Sequence, residues 1–476
     1  MAMLLFQEYL PENLLEKAAG KGKIVRVVGI AAAGFHCGLK FLRKISLCGD
    51  SNNPVLLYLH KLLRTHLNCG VLIRGEFFAK LPWHYMVILS GCHVIVNYGS
   101  YGTVPVRVLE HQQNLQKELE LCPDLFNRIT LQMKYEESRN IVAREIGCDA
   151  QNLVFVENVT EGMNCTLRSL LPHFKDNDAI FCLNVNYASV LKTVAVYSKK
   201  NNVEVLKLDV EFPIVSEEEF VNAFRNMFAT HGNIRLAIFD HITSASAVKL
   251  PIKKIASLCR EFGIISVVDA AHAPGQLFLD IKSYDIDIYI GNLHKWYYTP
   301  KSCAIMCIDE RLHDKMQPTV VSHGCYGDLH ERFRRQGTKN YSAHVTAGYA
   351  VEYMKKLGGI GHLHSYITPL VEWAVQLYVR EWNTEELSVP KSMKAPYMRI
   401  VFLPEVFTKH YGSKTEDADR MIIDMLNDFK LAIFVNPVQG RLATRVSAQI
   451  FSTRNQYKYA ARVIKRRANE LRSKYN

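Results

Sequence analysis

The chain has 476 residues, enough for two or three domains, and its 48% apolar and 22% charged residues exclude an intrinsically disordered or collagen-like polypeptide. Its 12 cysteines form no CxxC pair and no metal-ligand cluster, and a chain this long is not a small disulfide scaffold. Reduced thiols, no metal and a cytoplasmic location are expected, while the net charge of +12 raises the question of an acidic partner.

Residues 1–75 read as an N-terminal extension of unclear role, with short helices expected over Pro11–Lys17 and Pro54–Leu67. The uncharged stretch Val27–Leu39 is shorter than the ~20 residues a membrane span requires. Leu81–Val106 is interrupted by Pro82, His84, His93, Asn97 and glycines, so no membrane partner is expected. Glu8, Glu12 and Glu16 precede the first basic cluster, which disfavours a presequence.

The pattern becomes regular from about residue 92, within a large domain expected over 76–350. Asn97-Tyr98-Gly99-Ser100-Tyr101-Gly102 is a turn-rich loop, and helical patterns fill 106–120 and 131–147. Seven short apolar runs then alternate with amphipathic segments: Leu153–Val156, Ala179–Leu183, Val203–Leu208, Leu236–Phe239, Ile264–Val268, Ile286–Ile290 and Cys303–Ile308. Strands separated by helices imply an α/β fold with a mostly parallel sheet covered on both faces, and ligands of such sheets collect at the carboxyl ends of the strands. Residues 351–476 change to a smaller α+β domain, with helices expected at 361–384 and 415–429 and strands near 398–403, 431–435 and 443–448.

The chain ends in a basic stretch in which Lys458, Arg462, Lys465, Arg466, Arg467, Arg472 and Lys474 meet one acid, Glu470. Tyr457, Ala460, Ile464, Ala468, Leu471 and Tyr475 recur in it at helical spacing. That stripe favours the solvated face of a packed helix over a nucleic-acid patch, so no nucleic-acid partner is expected.

Two residues stand out chemically. Asp269 closes the run Ile264–Val268, and Lys295 follows the next run inside Gly291-Asn292-Leu293-His294-Lys295-Trp296. An acid after a strand is also a common helix N-cap, and a strand-end lysine is commonly solvated. Together, however, a carboxylate and a lysine at neighbouring strand ends suit a pyridoxal 5'-phosphate (PLP) enzyme. There a lysine holds the aldehyde as a Schiff base and an acid partners the pyridine nitrogen.

Asp269-Ala270-Ala271-His272-Ala273-Pro274-Gly275-Gln276, followed by Gly291 to Trp296, resembles the class V aminotransferase family of fold type I PLP-dependent enzymes. The isopenicillin N epimerase-like and cysteine desulfhydrase-like branch is the most similar. Asn97–Gly102, Asn158-Val159-Thr160-Glu161-Gly162-Met163-Asn164, Asp240-His241-Ile242-Thr243-Ser244, Gly337-Thr338-Lys339-Asn340 and Arg445-Val446-Ser447-Ala448-Gln449 fall in the family's order, over roughly residues 92 to 470.

The resemblance implies Lys295 as the Schiff-base lysine, Asp269 as the partner of the ring nitrogen and His272 as a hydrogen-bond partner of the ring hydroxyl. Tyr187 would stack on the ring, and Ser244 would lie near the hydroxyl, although Ala245 stands where the family has proline. Thr160 and Glu161 would offer backbone amides to the phosphate at a helix start near Glu161, with Asn292 and His294 as further phosphate-side donors. Thr338 would reach the phosphate of a neighbouring subunit, which implies a homodimer with shared active sites. Asn97, Ser100 and Tyr101 would line the substrate entrance, where Gly99 and Gly102 allow close backbone approach. Arg445 would clamp the substrate carboxylate.

An amino-acid substrate would then form an external aldimine and lose its α-proton to Lys295. Everything to that point is common to transamination, epimerisation and β-elimination. The last cysteine is Cys325, so no thiol precedes Arg445 where a persulfide-forming desulfurase carries its nucleophile. A β-lyase of the cysteine desulfhydrase type is therefore favoured, with an aminotransferase or epimerase as the alternative. A catalytically inactive binding protein is the alternative of another class.

Overall fold

The structure, a computed structural model, describes Val71–Leu72, Ile88–Leu89 and residues 93–475. The helices expected at 11–17 and 54–67 and the run Val27–Leu39 lie outside the described residues.

Strands β1 (Val71–Leu72) and β2 (Ile88–Leu89) pair with each other, and β3 (Val94–Ile95) opens the continuous part. The seven expected apolar runs are β4 (Leu153–Val156), β5 (Ala179–Leu183), β6 (Glu204–Leu208), β7 (Ile234–Asp240), β8 (Ile265–Asp269), β9 (Ile288–Asn292) and β10 (Ala304–Ile308). They form one sheet in the order β4-β10-β9-β8-β7-β5-β6. Pairings β9-β8, β8-β7, β7-β5 and β5-β6 are parallel, and β10 alone runs antiparallel to its neighbours β4 and β9.

Side-chain alternation along the strands builds two cores. In β5, Ala179, Phe181 and Leu183 join a core with Phe220, Phe224, Phe228 and Ile255, whereas Ile180 and Cys182 join another with Met163, Leu167, Val190 and Val194. The sheet is therefore covered by helices on both faces, the α/β layering expected of near-continuous apolar strands. Strand β9 lies two residues later than expected. Asp285 takes a left-handed turn (φ 54°), and the Asp287 carboxylate accepts from the Ser266 amide and hydroxyl, both at 2.8 Å, before the ladder begins. Asp240, Asp269 and Asn292 are the final residues of their strands; Asp240 and Asp269 are in register, and Asn292 extends two residues past Ile290, the register partner of Asp269.

Towards the C-terminus, helices Ser342–Lys356 and Gly359–Trp382 lead to β11 (Met398–Phe402), β12 (Leu431–Ala432), β13 (Val435–Val438) and β14 (Arg441–Ser447). β11, β14 and β13 make an antiparallel sheet, and β12 pairs in parallel with β3. The basic stretch is the helix Arg454–Tyr475, with Tyr457, Ala460, Ile464, Ala468 and Leu471 buried. Trp382 Nε1 donates to the Ala461 carbonyl at 3.1 Å, seating it on helix Gly359–Trp382. Tyr475 departs from the stripe at 58% exposure, its hydroxyl against His410 Nδ1. Among the described residues, no helix is long and apolar enough to cross a membrane.

Candidate active site

Lys295 sits in a single helical turn, Leu293–Trp296, directly after β9. The Leu293 and His294 amides both donate to the Cys303 carbonyl, at 3.0 and 3.3 Å, and fully buried Trp296 anchors the turn. Two glycines with positive φ press on it. A Cβ on Gly275 (φ 80°) would lie 2.5 Å from the Trp296 carbonyl carbon. One on Gly102 (φ 65°) would lie 2.8 and 2.9 Å from Lys295 O and Cα and closer still to the His294 carbonyl oxygen. The loop Asn97–Gly102 thus packs directly on the backbone that carries Lys295, a contact open to glycine alone.

The Lys295 amine lies 3.2 Å from His272 Nε2. Surrounding protein desolvates it and lowers its pKa to about 8, opposed by the attraction of Asp269. Asp269 is buried at the end of β8; one carboxylate oxygen accepts from the Ala271 amide at 2.9 Å and the other, Oδ2, has no protein partner. Burial raises its pKa, against the Ala271 hydrogen bond and the Lys295 charge. His272 is also buried, and burial first, then Lys295 and Arg445, holds it neutral. The Trp296 indole N–H donates to His272 Nδ1 at 3.3 Å. Since an indole nitrogen only donates, the proton of neutral His272 resides on Nε2, facing Lys295 and, at 3.4 Å, the Ser244 hydroxyl.

Arg445, on β14, is fully buried, and burial lowers its pKa to about 10. Nη1 donates to the Ser244 carbonyl (2.7 Å) and hydroxyl (3.3 Å); Nη2 donates to Ser100 Oγ (3.0 Å) and Asn97 Oδ1 (3.3 Å). Its plane covers the Phe434 ring at 4.1 Å. Every one of these partners is neutral, so among the described residues the guanidinium is a buried cation without a carboxylate partner. Tyr187, half-exposed, precedes helix Ala188–Asn201 and interacts electrostatically with Arg445. Tyr101 is 76% exposed on the same entrance loop. The loop after β7 is ordered without proline: Thr243 Oγ1 bonds Ser246 Oγ at 2.7 Å and accepts from the Val248 amide at 2.8 Å.

The segment around Asn158 and Glu161 differs in detail from expectation. The helix begins at Val159, not near Glu161, because Asn158 caps it by accepting from the Glu161 amide at 2.9 Å. The Val159 amide donates to Asn292 Oδ1 at 3.1 Å, which ties β9 to the helix. Glu161 therefore has its own amide occupied, and its carboxylate turns back to accept from the Glu157 amide at 2.6 Å. Among the described residues the Thr160 amide, between these two, has no protein acceptor. His294 Nδ1 meets the Cys303 carbonyl at 2.9 Å and burial lowers its pKa to about 4, so neutral His294 presents an acceptor at Nε2 rather than the expected donor. Thr338 is exposed and not part of the Lys295 cluster; its loop is held by the Lys339–Glu157 ion pair at 3.4 Å.

The cluster also contains two residues of the quoted motifs to which the sequence assigned no role. Trp296 sets the His272 tautomer, and buried Asp240 accepts from Asn186 Nδ2 beside Asp269. Asp240 had a signal: it ends an apolar strand as Asp269 does.

A doubly covered sheet with a lysine turn, a buried acid and a histidine at its carboxyl edge defines a fold type I PLP-dependent enzyme. Comparison with known proteins agrees. Residues 125–403 match the family model for class-V aminotransferases, and the chain belongs to that family of PLP-dependent lyases and transferases. It is 26% identical over 396 residues to hercynylcysteine sulfoxide lyase of Schizosaccharomyces pombe, covering 81% of this chain and 96% of that one. It is 30% identical over 320 residues to L-cysteine desulfhydrase of Arabidopsis thaliana, covering 65% and 69%. Among solved structures, a cystine C–S lyase in complex with cysteine persulfide superposes with a TM-score of 0.64 at 17% identity, over 78% of this chain and 97% of the other, a likeness of fold.

The residues present fit PLP. The orphaned Asp269 Oδ2 matches a protonated pyridine nitrogen, His272 Nε2–H matches the ring oxygen, and burial shifts the Lys295 amine towards its neutral, nucleophilic form.

Proposed function

We propose that the protein is a β-lyase cleaving a C–S bond in a cysteine-like amino acid, with Lys295 as the residue that holds PLP and moves the α-proton. The observation that carries this reading is the Lys295 amine at 3.2 Å from His272, with the unpartnered oxygen of Asp269 and the carboxylate-free guanidinium of Arg445 in the same cluster. PLP, when bound, supplies an aldehyde that takes up an amino group and a ring that draws electrons from Cα.

The chain's own residues then divide the work. Arg445 Nη1 and Nη2 exchange Ser244, Ser100 and Asn97 for the substrate carboxylate, which orients Cα. With PLP bound, Asp269 Oδ2 would favour the protonated ring nitrogen and His272 Nε2–H would hold the ring oxygen. Lys295 Nζ, whose pKa burial lowers from 10.5 to about 8, takes the proton from Cα once its amine is free. The sulfur leaves from Cβ with the electrons of the C–S bond, so no enzyme thiol is needed, consistent with the absence of cysteine after Cys325. The similarity to a hercynylcysteine sulfoxide lyase and to an L-cysteine desulfhydrase supports this choice over transamination or epimerisation. A second copy, contributing Thr338 to a shared site, belongs to the same proposal.

The test is to incubate holoenzyme with a panel of cysteine, cysteine conjugates, cysteine sulfoxides and non-sulfur amino acids. Sulfide or thiol, pyruvate, keto acid from the cofactor's amine form and D-isomer are assayed together. Stoichiometric pyruvate and sulfur release supports a lyase; keto acid or D-isomer without sulfur release overturns it.

A further inference from the structure

β7 and β8 are parallel neighbours, and their final residues, Asp240 and Asp269, are in register. Adjacent strands run ~4.8 Å apart, so two carboxyl groups stand side by side, and they are only 1% and 2% exposed. The charged groups facing Asp240 are Asp269 across the ladder and Lys295 beyond it. Its neighbour His241 turns the other way, with Nδ1 at 2.9 Å from the Tyr289 hydroxyl. Among the described residues Asp240 has no ion-pair partner; its one side-chain hydrogen bond comes from the neutral amide of Asn186.

Two adjacent buried carboxylates facing one lysine do not both ionise. The Ala271 amide stabilises the Asp269 anion at 2.9 Å, and the Lys295 charge responds more to Asp269 than to Asp240. The proton therefore belongs on Asp240, whose carboxyl is pushed well up by burial and then by Asp269. Asn186, the residue Asp240 holds, is itself clamped: Oδ1 accepts from the Leu183 amide at 2.6 Å and its own amide donates to the Leu183 carbonyl at 3.2 Å. Tyr187 follows immediately.

We propose that Asp240 is a positioning residue for the cofactor ring: as a neutral carboxylic acid it holds, through Asn186, the turn that presents Tyr187, and leaves Asp269 as the single anion opposite the ring nitrogen. This rests on PLP being held at Lys295 with Tyr187 on its ring.

The test uses holoenzyme carrying Asp240→Asn, Asp240→Ala, Tyr187→Ala and the double change Asp240→Ala/Tyr187→Ala. PLP affinity and the pH midpoint of the visible band of the lysine-bound cofactor are measured. Asp240→Asn keeps an acceptor for Asn186 and removes only an acid already neutral. It should retain wild-type PLP affinity and leave the midpoint unchanged. Asp240→Ala and Tyr187→Ala should each weaken PLP about tenfold, and the double change no further, because both act through one contact. A midpoint lowered about one unit by Asp240→Asn reveals an anion at 240 and overturns the proposal, as do additive losses in the cycle. If Asp240→Ala does not fold, Asn186→Ala takes its place. A wild-type protein that shows no visible band with PLP refutes the Lys295 assignment instead, a distinguishable failure.

Discussion

Substituting Gly102 by alanine tests how the entrance loop and the lysine turn are built together. The new methyl group would meet Lys295 O at 2.8 Å and Lys295 Cα at 2.9 Å, with the His294 carbonyl nearer still, where ordinary contacts begin at 3.4 Å. All three are main-chain atoms, so relief requires the loop or the turn to move by on the order of 1 Å, a displacement that can cost ~100-fold in turnover. A left-handed φ of 65° adds ~1–2 kcal/mol, and overpacking ~1–3 kcal/mol. Gly440 is the control: its φ is 78° and nothing lies within 4 Å of its would-be Cβ, so alanine there incurs only the backbone term. In urea unfolding Gly102→Ala should lose about 2–5 kcal/mol and Gly440→Ala ~1–2, and only Gly102→Ala should slow capture of PLP. Equal losses from the two variants, with normal PLP capture, would show that the loop does not press on the Lys295 backbone.

Arg445→Lys replaces a planar fork by a point charge and should raise KM for the amino acid ~10–100-fold through loss of charge-assisted hydrogen bonds, read from steady-state kinetics; an unchanged KM contradicts the carboxylate assignment. Because folding lowers the Lys295 pKa from 10.5 to about 8, the buried amine destabilises the apoprotein at neutral pH, and that penalty fades as pH rises from about 8 to 10.5. Lys295→Met should therefore stabilise apoprotein at neutral pH but not near pH 10.5, and a gain independent of pH would argue against a desolvated amine. Trp296→Phe removes the donor that fixes the His272 tautomer. It should cost ~0.5–1.5 kcal/mol in stability and shift the pH midpoint of the lysine-bound cofactor, whereas an unmoved midpoint leaves Trp296 a packing residue.

The large sheet was legible because its strands are short apolar runs, most of them set off by amphipathic helices, and Asp269 and Lys295 because one closes such a run and the other follows the next. Strand pairing was not: Asp240 becomes a neighbour of Asp269 only through the register of β7 and β8, which no local pattern encodes. The same holds for Gly102, whose contact with His294 and Lys295 joins distant segments. The helix start at Asn158 was legible in principle, since Asn158 and Glu161 have the spacing of a capping box, but Thr160 drew attention as the phosphate candidate. The tautomer of His272 depended on Trp296 folding back against it, a fact of packing rather than of motif.

Borohydride reduction of the PLP-loaded protein, followed by peptide mass mapping, tests the central claim most directly. The pyridoxyl group should be found on the peptide containing Gly291 to Trp296, attached to Lys295, and should vanish in Lys295→Ala. A pyridoxyl group on another lysine, or one that persists in Lys295→Ala, would contradict the account.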